Sequence, residues 1–253
     1  MNDTGLCATE RKNIDMDRCE KYRAYMTKDH LMGPSSFRLL DELLQRGPAD
    51  ACRGRVLDLG CGNALTSIFA ANETGAKAVY AFDLWCAAAD NLARVREAGL
   101  EDRVIPIHGD AMEMPFAEDW FDTVISVDAY HYFGCGKGVF SQKVLPFVKR
   151  GGNVMIAVPG LKKEPEGEIR TLFEAWAEGE DALTFKTAGW WQKLLTEECK
   201  DLCDITVTEA ECCDLAWREW FDTGHEFALR DREYLSRGLY ELMTFVFMYI
   251  RKR

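Results

Sequence analysis

The chain has 253 residues, of which 47% are hydrophobic and 29% are charged, proportions that allow a sizeable core in a globular protein. The formal net charge is −11, with 42 acidic residues against 31 basic ones, which disfavours a nucleic-acid backbone as the main partner. No apolar stretch approaches the roughly 20 residues of a membrane span and the N-terminus lacks a signal-peptide core, so we expect a cytoplasmic protein with no membrane partner.

Ten cysteines are scattered along the chain, and none forms the C-x-x-C spacing of a zinc site. We therefore expect reduced thiols, most of them buried as small apolar side chains, and no metal. One cluster keeps an alternative open, since its thiols could take part in thiol or metalloid chemistry: Cys199, Cys203, Cys212 and Cys213.

Elements alternate regularly through the first two thirds of the chain. Apolar spacing predicts a helix over 18–26 and a second that carries Phe37 to Leu44 and ends at Gly47-Pro48. Helical patterns then separate five predicted strands, with Gly151-Gly152 as a turn before the last of them. The predicted strands are 55–59, 77–82, 103–108, 121–127 and 153–158.

This alternation of strands and helices indicates parallel pairing through right-handed crossovers, which makes a doubly wound α/β core. We divide the chain into an N-terminal helical segment (1–50) that can act as a lid, the α/β core (51–160) and a C-terminal part (161–253). The C-terminal part is expected to complete the sheet and to add substrate-side helices. In such sheets the ligand binds at the carboxyl ends of the strands.

The most informative segment is the glycine turn that follows the first strand. The strand carries Asp58, and Gly60 and Gly62 come just before a helical pattern that begins at Leu65. Glycines here let the backbone approach a ligand closely, although an ordinary strand-to-helix turn has the same local sequence. The dinucleotide fingerprint G-x-G-x-x-G fails because Leu65 replaces its third glycine, and no P-loop motif occurs.

Acidic residues mark the ends of four successive strands: Asp58, Asp83, Asp110 and Asp128. A carboxylate about 20 residues after the glycine turn can accept hydrogen bonds from ribose hydroxyls. Each acid alone could be a helix N-cap. Four of them in order on one edge of one sheet are much less easily explained in that way.

These motifs resemble those of the class I, Rossmann-like S-adenosylmethionine-dependent methyltransferases of small molecules. The resemblance covers roughly residues 50–160. It includes the strand and turn at 56–62, the second strand at 78–83, the segment 109–116 with its Pro-Phe, the fourth strand at 121–126 and the turn at 145–152. It implies a mostly parallel seven-stranded sheet with helices on both faces, whose reversed last strand would be 242–251.

The resemblance implies S-adenosylmethionine as the cofactor and S-adenosylhomocysteine as its product. Within the Gly60–Cys61–Gly62 turn, Gly60 would hold the methionine end together with Asp58. Asp83 would bind the ribose, with Leu84 on the adenine. The remaining cofactor residues would be Asp110 and Ala111 at the adenine and Asp128 at the mouth of the substrate pocket. One departure is Ala64, where the family usually has a further glycine.

Substrate residues are expected after the fourth strand and in the lid. His131 is a candidate general base, although a histidine here often only packs near the cofactor. Tyr130 and Tyr132 are candidate wall residues, and Trp190 stands with Trp191, Trp217 and Trp220 as a far wall that could hold a cationic amine. A lid would bring Tyr22, Tyr25, His30 and Met32 to the substrate, unless that helix packs elsewhere on the sheet.

We therefore predict an enzyme, monomeric or homodimeric, that methylates a nitrogen or oxygen of a small molecule, with no nucleic-acid partner. The Asn/Asp-Pro-Pro-Tyr motif of base and glutamine methylation is absent. Two alternatives remain, a cofactor-binding regulator without catalysis and a thiol or metalloid methyltransferase that uses the C-terminal cysteines. The regulator would have no open channel beside the methyl group. The thiol enzyme would need its sulfurs to converge there.

Overall fold

The computed structural model describes residues 18–253, with the backbone alone described at residue 180. Eight strands form one sheet in the order β3-β2-β1-β4-β5-β8-β7, and the short β6 pairs with β5. The strands are β1 Gly54–Leu59, β2 Ala76–Asp83, β3 Val104–His108, β4 Phe121–Val127, β5 Val148–Leu161, β6 Lys186–Thr187, β7 Cys203–Glu209 and β8 Met243–Lys252.

Helices cover both faces of this sheet. They are α1 Ser36–Arg46, α2 Leu65–Glu73, α3 Ala88–Glu97, α4 His131–Gly134, α5 Gly167–Ala177, α6 Ala188–Cys199, α7 Cys213–Asp222 and α8 Glu226–Ser236. Shorter helical turns connect them, among them a 3₁₀ helix over Arg18–Tyr25, where the sequence predicts a helix, and a π-helical turn over Phe140–Val144. No helix of the described residues is long and apolar enough to cross a membrane.

The first five strands run parallel, and the last one is reversed. β8 pairs antiparallel with β5 from Asn153 to Leu161 and with β7 along its other edge. The predicted class, a doubly wound and mostly parallel sheet with a reversed last strand, is therefore confirmed. The one strand beyond the seven expected is β6, which is two residues long.

Two sequence predictions about single elements need correction. Gly151-Gly152 is not a separate turn, because it lies within β5, at a register irregularity between the pairs Phe121–Val148 and Thr123–Asn153. β5 is also longer than predicted at both ends, since β8 supplies backbone partners as far as Leu161. The first 17 residues of the predicted segment 1–50 lie outside the described residues.

Side chains of the strands alternate between two apolar cores, one on each face of the sheet. Val56 of β1 packs into the core that holds α1 and α2, and its neighbour Leu57 packs into the core that holds α6. Both faces are thus covered, as expected for a parallel sheet. The carboxyl edge of β1, β2 and β4 stays open to form a cavity.

Candidate functional site

A cavity of about 290 Å³ opens at the carboxyl ends of the parallel strands. We call it the first cavity. The glycine turn, the ends of β2 and β4 and the segment before α1 surround it. The residues that line it include His30, Met32, Gly33, Gly60, Cys61, Gly62, Asp83, Leu84, Asp110, Ala111, Asp128 and Tyr132.

The glycine turn forms the floor of the first cavity. Gly60 has φ +77°, and a Cβ built on it would lie 2.3 Å from the Cβ of Ala129. The backbone N–H groups of Gly60 and Cys61 both donate to the carbonyl of Phe82, at 2.8 and 3.2 Å. Only glycine fits at Gly60, because any side chain would displace the loop after β4.

Asp83 organises this floor through backbone hydrogen bonds. Its Oδ2 accepts from the N–H of Gly62 at 2.8 Å, and its Oδ1 accepts from the N–H groups of Trp85 and Cys86 at 2.7 and 2.8 Å. The carboxylate is 7% exposed and lines the cavity. Since a carboxylate has about four lone-pair sites, Oδ2 keeps capacity for one more donor.

The structure corrects the expected direct contact of Asp58 with a cofactor. Asp58 is fully buried beneath the cavity, where its Oδ2 accepts from the hydroxyls of Thr66 and Ser67 at 2.6 Å each. Burial raises the pKa of its carboxyl to about 6, an increase that the two hydroxyl donors partly offset. Asp58 therefore fixes the start of α2, and Thr66, which it holds, lines the cavity.

Four more of the expected cofactor residues line the first cavity. The Asp110 carboxylate accepts from the N–H of Met112 at 2.8 Å, and Ala111 follows it at the rim. The Leu84 side chain is 51% exposed at the mouth. Cys61 is almost buried, and burial raises the pKa of its thiol, so this sulfur is held in the neutral form.

Asp128 lies at the end of β4 in the left-handed region, with φ +57°. Its N–H donates to the carbonyl of Ala157, and no hydrogen bond to its carboxylate is found within residues 18–253. Burial, together with the nearby Asp231, raises the pKa of the Asp128 carboxyl to about 7. This carboxylate is thus available to a ligand and titrates near neutral pH.

Residues of the segment before α1 line the first cavity, and they are fewer than the sequence analysis assigned to a lid. The Asn63 side-chain amide donates to the His30 carbonyl at 2.8 Å, and His30 and Met32 line the cavity. The expected roles of Tyr22 and Tyr25 are corrected. Tyr22 stacks on Phe37 with 5.0 Å between ring centroids and donates its hydroxyl to Glu73, and Tyr25 packs against the rings of His30 and Phe37.

Three other substrate-side candidates lie away from the cavity. His131 is buried against Phe185, and burial lowers the pKa of its imidazole to about 3. Tyr130 is fully buried against Trp191, and Trp190 packs on Trp191 with 5.0 Å between ring centroids. Tyr132 does line the cavity, with 47% of its surface exposed.

A second cavity of about 160 Å³ adjoins the first, and sequence reasoning found only part of it. Trp217 and Trp220 line it, as expected of a far wall, whereas Trp190 and Trp191 do not. Trp176, Phe227 and Asp231 were missed, because they come from α5 and α8 and no motif links these helices. The residues that line both cavities are Met32, Gly33, Pro34, Asp128 and Tyr132.

The C-terminal cysteines do not converge on either cavity. Cys199 and Cys203 belong to the core around α6, the Cys212 thiol donates to the Arg38 carbonyl, and the Cys213 thiol contacts Thr244. Within residues 18–253 all nine cysteines are free, and no cluster of three His, Cys, Asp or Glu side chains could hold a metal ion. The thiol and metalloid alternative is not favoured.

Residues 56–152 match the family model described as a methyltransferase domain. This segment contains β1 to β4, the glycine turn and the start of β5. This part of the chain, the α/β core, is therefore similar to a methyltransferase domain. Over 81 residues it is 40% identical to a demethylmenaquinone methyltransferase of Mycobacterium marinum, a match that covers 32% of this chain and 29% of that protein.

Solved structures of methyltransferases share the fold of this chain. Phosphoethanolamine N-methyltransferase 2 of Haemonchus contortus, in complex with S-adenosylmethionine, has a TM-score of 0.68 and 22% identity over 88% of this chain and 54% of its own. An S-adenosylmethionine-dependent methyltransferase of Geobacter sulfurreducens has a TM-score of 0.61 and 20% identity, and the match covers 92% of this chain and 98% of that protein. This chain thus spans about half of the first protein and nearly all of the second.

The residues of the first cavity fit S-adenosylmethionine, the cofactor of these similar proteins. Three carboxylates line the cavity, those of Asp83, Asp110 and Asp128, and no Lys or Arg is among the described residues of its wall. This set suits a sulfonium cation with ribose and adenine groups. It does not suit the diphosphate of a dinucleotide, which would be repelled by the carboxylates.

Proposed function

We propose that this protein transfers the methyl group of S-adenosylmethionine to a nitrogen or oxygen atom of a small molecule. The observation that carries the proposal is the pair of adjoining cavities, the first at the carboxyl ends of β1, β2 and β4. A cofactor-binding regulator would need only the first of them. The second cavity gives a substrate access to the same edge of the sheet, which favours an enzyme.

We assign the cofactor to residues of the core (51–160). The Asp83 carboxylate accepts from the ribose with its remaining capacity, the Gly60–Cys61–Gly62 turn holds the methionine part, and Leu84 packs on the adenine. Asp110 accepts from the adenine amino group, and the Ala111 amide donates to the ring. The segment 1–50 supplies the lid through His30 and Met32, and 161–253 supplies the substrate side.

The bound cofactor supplies an activated methyl group, which leaves the protein two main tasks, orientation and the exclusion of water. Met32 and the ring of Tyr132 lie at the boundary of the two cavities, where they can close the passage around a substrate. Asp128 lies at the same boundary and can hold a proton there. The buried His131 lines neither cavity, and its ring packs on Tyr132 with 4.0 Å between ring centroids.

The names of similar proteins give different substrates, among them demethylmenaquinone and phosphoethanolamine. The chain spans only part of the first of these relatives, and its identity to the second is low. A substrate for this protein therefore has to come from its own residues.

Calorimetric titration with S-adenosylmethionine tests the cofactor, with NAD⁺ as the control ligand. We expect micromolar affinity for S-adenosylmethionine alone, and a weakening of about 1.5–3 kcal/mol for Asp83→Ala, the usual contribution of hydrogen bonds to a charged group. Asp102→Ala, an exposed carboxylate in the turn before β3, is the matched control and should bind as the wild type does. Failure of the wild type to bind S-adenosylmethionine would contradict the proposal.

A further inference from the structure

The second cavity has an aromatic wall built by three helices. Trp176 of α5 and Trp217 and Trp220 of α7 are at most 8% exposed, so their rings are held in place by packing. The centroids of Trp176 and Trp217 lie 6.5 Å apart, and Phe227 of α8 closes the rim with 58% of its surface exposed. Aromatic rings attract a cation that reaches their faces, through the ring quadrupoles.

A carboxylate is fixed within this wall by the aromatic residues themselves. The indole N–H of Trp176 donates to Asp231 Oδ1 at 2.8 Å, and the indole N–H of Trp220 donates to Oδ2 at 2.8 Å. Asp231 lines the cavity, and each of its oxygens keeps a further lone pair for a ligand. Both tryptophans therefore line the cavity and also orient the carboxylate.

The charges around the second cavity favour a cation and disfavour an anion. Its described wall contains two carboxylates, Asp128 and Asp231, and no Lys, Arg or His. Two basic groups outside this wall act on Asp231: burial raises the pKa of its carboxyl, and Arg230 and His225 partly offset that rise. Arg230 also donates to the Trp176 carbonyl and to Glu178, and His225 stacks on Trp220. A phosphate or carboxylate substrate would meet repulsion here without a basic partner.

We propose that the second cavity seats a small protonated amine and that this amine is the methyl acceptor. The inference rests on the proposed function, whose substrate class it names. The ammonium group lies against the rings of Trp176, Trp217 and Trp220 and beside the Asp231 carboxylate. The volume of the second cavity, about 160 Å³, is enough for a small amine group.

Asp128 accounts for the proton that such an acceptor has to lose. The amine transfers its N–H proton to the Asp128 carboxylate, its lone pair forms the new bond to the methyl carbon, and the pair of the broken carbon–sulfur bond stays on sulfur. Asp128 then releases the proton to solvent. Its position on both cavities places the carboxylate where it can take up this proton.

Gly33 keeps this carboxylate close to the covering segment. A Cβ built on Gly33 would lie 2.7 Å from Asp128 Oδ2, so a larger residue would push the carboxylate away from the boundary of the cavities. Two cations, a sulfonium and an ammonium, would otherwise repel each other across this boundary. A carboxylate between them reduces that repulsion.

The test compares two probes of the same shape, choline and its uncharged isostere 3,3-dimethylbutan-1-ol. Each is titrated calorimetrically into the wild-type protein, both free and saturated with S-adenosylhomocysteine. We expect choline to bind at least about tenfold more tightly than the isostere, because only the positively charged choline gains from cation–π contacts and from the Asp231 carboxylate. Equal affinity for the two probes, or no binding of choline, would overturn the inference.

Substitutions in the second cavity test whether choline binds there. Asp231→Asn should weaken choline binding by about tenfold or more while S-adenosylhomocysteine binds as before, since only the charge in the second cavity is lost. Trp220→Phe, which keeps a ring but removes one indole donor, gives the same test should Asp231→Asn not fold. Asp204→Asn, an exposed carboxylate paired with Arg253, is the control and should bind choline normally.

The two proposals fail in distinguishable ways. If S-adenosylhomocysteine binds and choline shows no preference over its isostere, the amine substrate is wrong and the cofactor assignment stands. If S-adenosylhomocysteine does not bind, the proposed function is wrong. The titration of the free protein then still decides whether the second cavity selects cations.

Discussion

Ala64 adopts a backbone conformation that few residues with a side chain tolerate. It has φ +60° and ψ +21°, is fully buried and stands at the N-cap of α2. The left-handed region costs an L-residue about 1–2 kcal/mol, because its Cβ crowds the following carbonyl. The residue at which the sequence departs from the usual glycine of the family is therefore one whose conformation glycine would prefer.

Ala64→Gly should stabilise the protein. We expect the free energy of unfolding to rise by about 1 kcal/mol, because glycine relieves the left-handed strain and partly offsets this gain by its freedom in the unfolded chain. Urea denaturation measures the change. The control is Ala98→Gly at the right-handed end of α3, which should lose about 0.5–1 kcal/mol; similar losses for both variants would contradict this reading.

At the scale of elements, α1 holds α7 in the position that carries Trp217 and Trp220. Arg38 of α1 donates from Nε to Glu219 of α7 at 2.7 Å, and both side chains are at most 7% exposed. Glu42 of α1 accepts from the backbone N–H of Cys212 at 2.7 Å, at the start of α7. The wall of the second cavity thus depends on buried polar contacts of α1, although Arg38 and Glu42 do not themselves line the cavity.

Removing Arg38 from its buried ion pair with Glu219 should destabilise the protein. Arg38→Ala leaves Glu219 buried without its cation, so we expect a loss of about 3–5 kcal/mol in the free energy of unfolding. Thermal and urea denaturation provide the measurement. Arg237→Ala, which breaks an exposed pair with Glu233 on α8, should lose less than about 1 kcal/mol. A loss that small for Arg38→Ala would show that the pair does not hold α7.

At the scale of the whole molecule, the edge of the sheet at which ligands bind holds carboxylates that are partly or fully withdrawn from water. Asp58 and Asp128 both have a carboxyl pKa above the usual 3.8, at about 6 and about 7, with burial as the main cause. The folded state therefore binds their protons more tightly than the unfolded chain does. Their contribution to stability is full below about pH 4 and is lost as the pH rises through the raised values.

The free energy of unfolding of the ligand-free protein should consequently decrease between about pH 4 and pH 7, because the unfolded chain loses the Asp128 proton at a lower pH than the folded protein does. One such group changes stability by up to about 1.4 kcal/mol per pH unit. Asp128→Asn should remove this contribution, so the variant gains stability relative to the wild type as the pH increases. Urea denaturation across this pH range measures the free energy of unfolding, with Asp204→Asn as the control. Parallel plots of this free energy against pH for the wild type and Asp128→Asn would refute the prediction.

Much of the fold and part of the site could be predicted from local sequence. The parallel core followed from apolar runs that alternate with helical patterns, since period and spacing are local properties. Asp83, Asp110 and Asp128 line the first cavity because the carboxyl ends of parallel strands meet at one edge. Asp58 was placed too close to the ligand because its side chain points into the sheet's buried face, which strand order alone does not reveal.

By itself the sequence determined the fold class, the glycine turn and the edge of the sheet at which ligands bind, because these depend on neighbours along the chain. Tertiary structure alone decided which aromatic residues face the site. Tyr22 and Tyr130 have the residue types of a binding wall but pack in cores, and Trp190 packs half-buried against one of them. Trp176 and Trp220, by contrast, meet at Asp231 across three helices. Packing between helices that are distant in sequence decides which aromatic rings a ligand can reach. The hydrophobic periodicity of the sequence does not predict it.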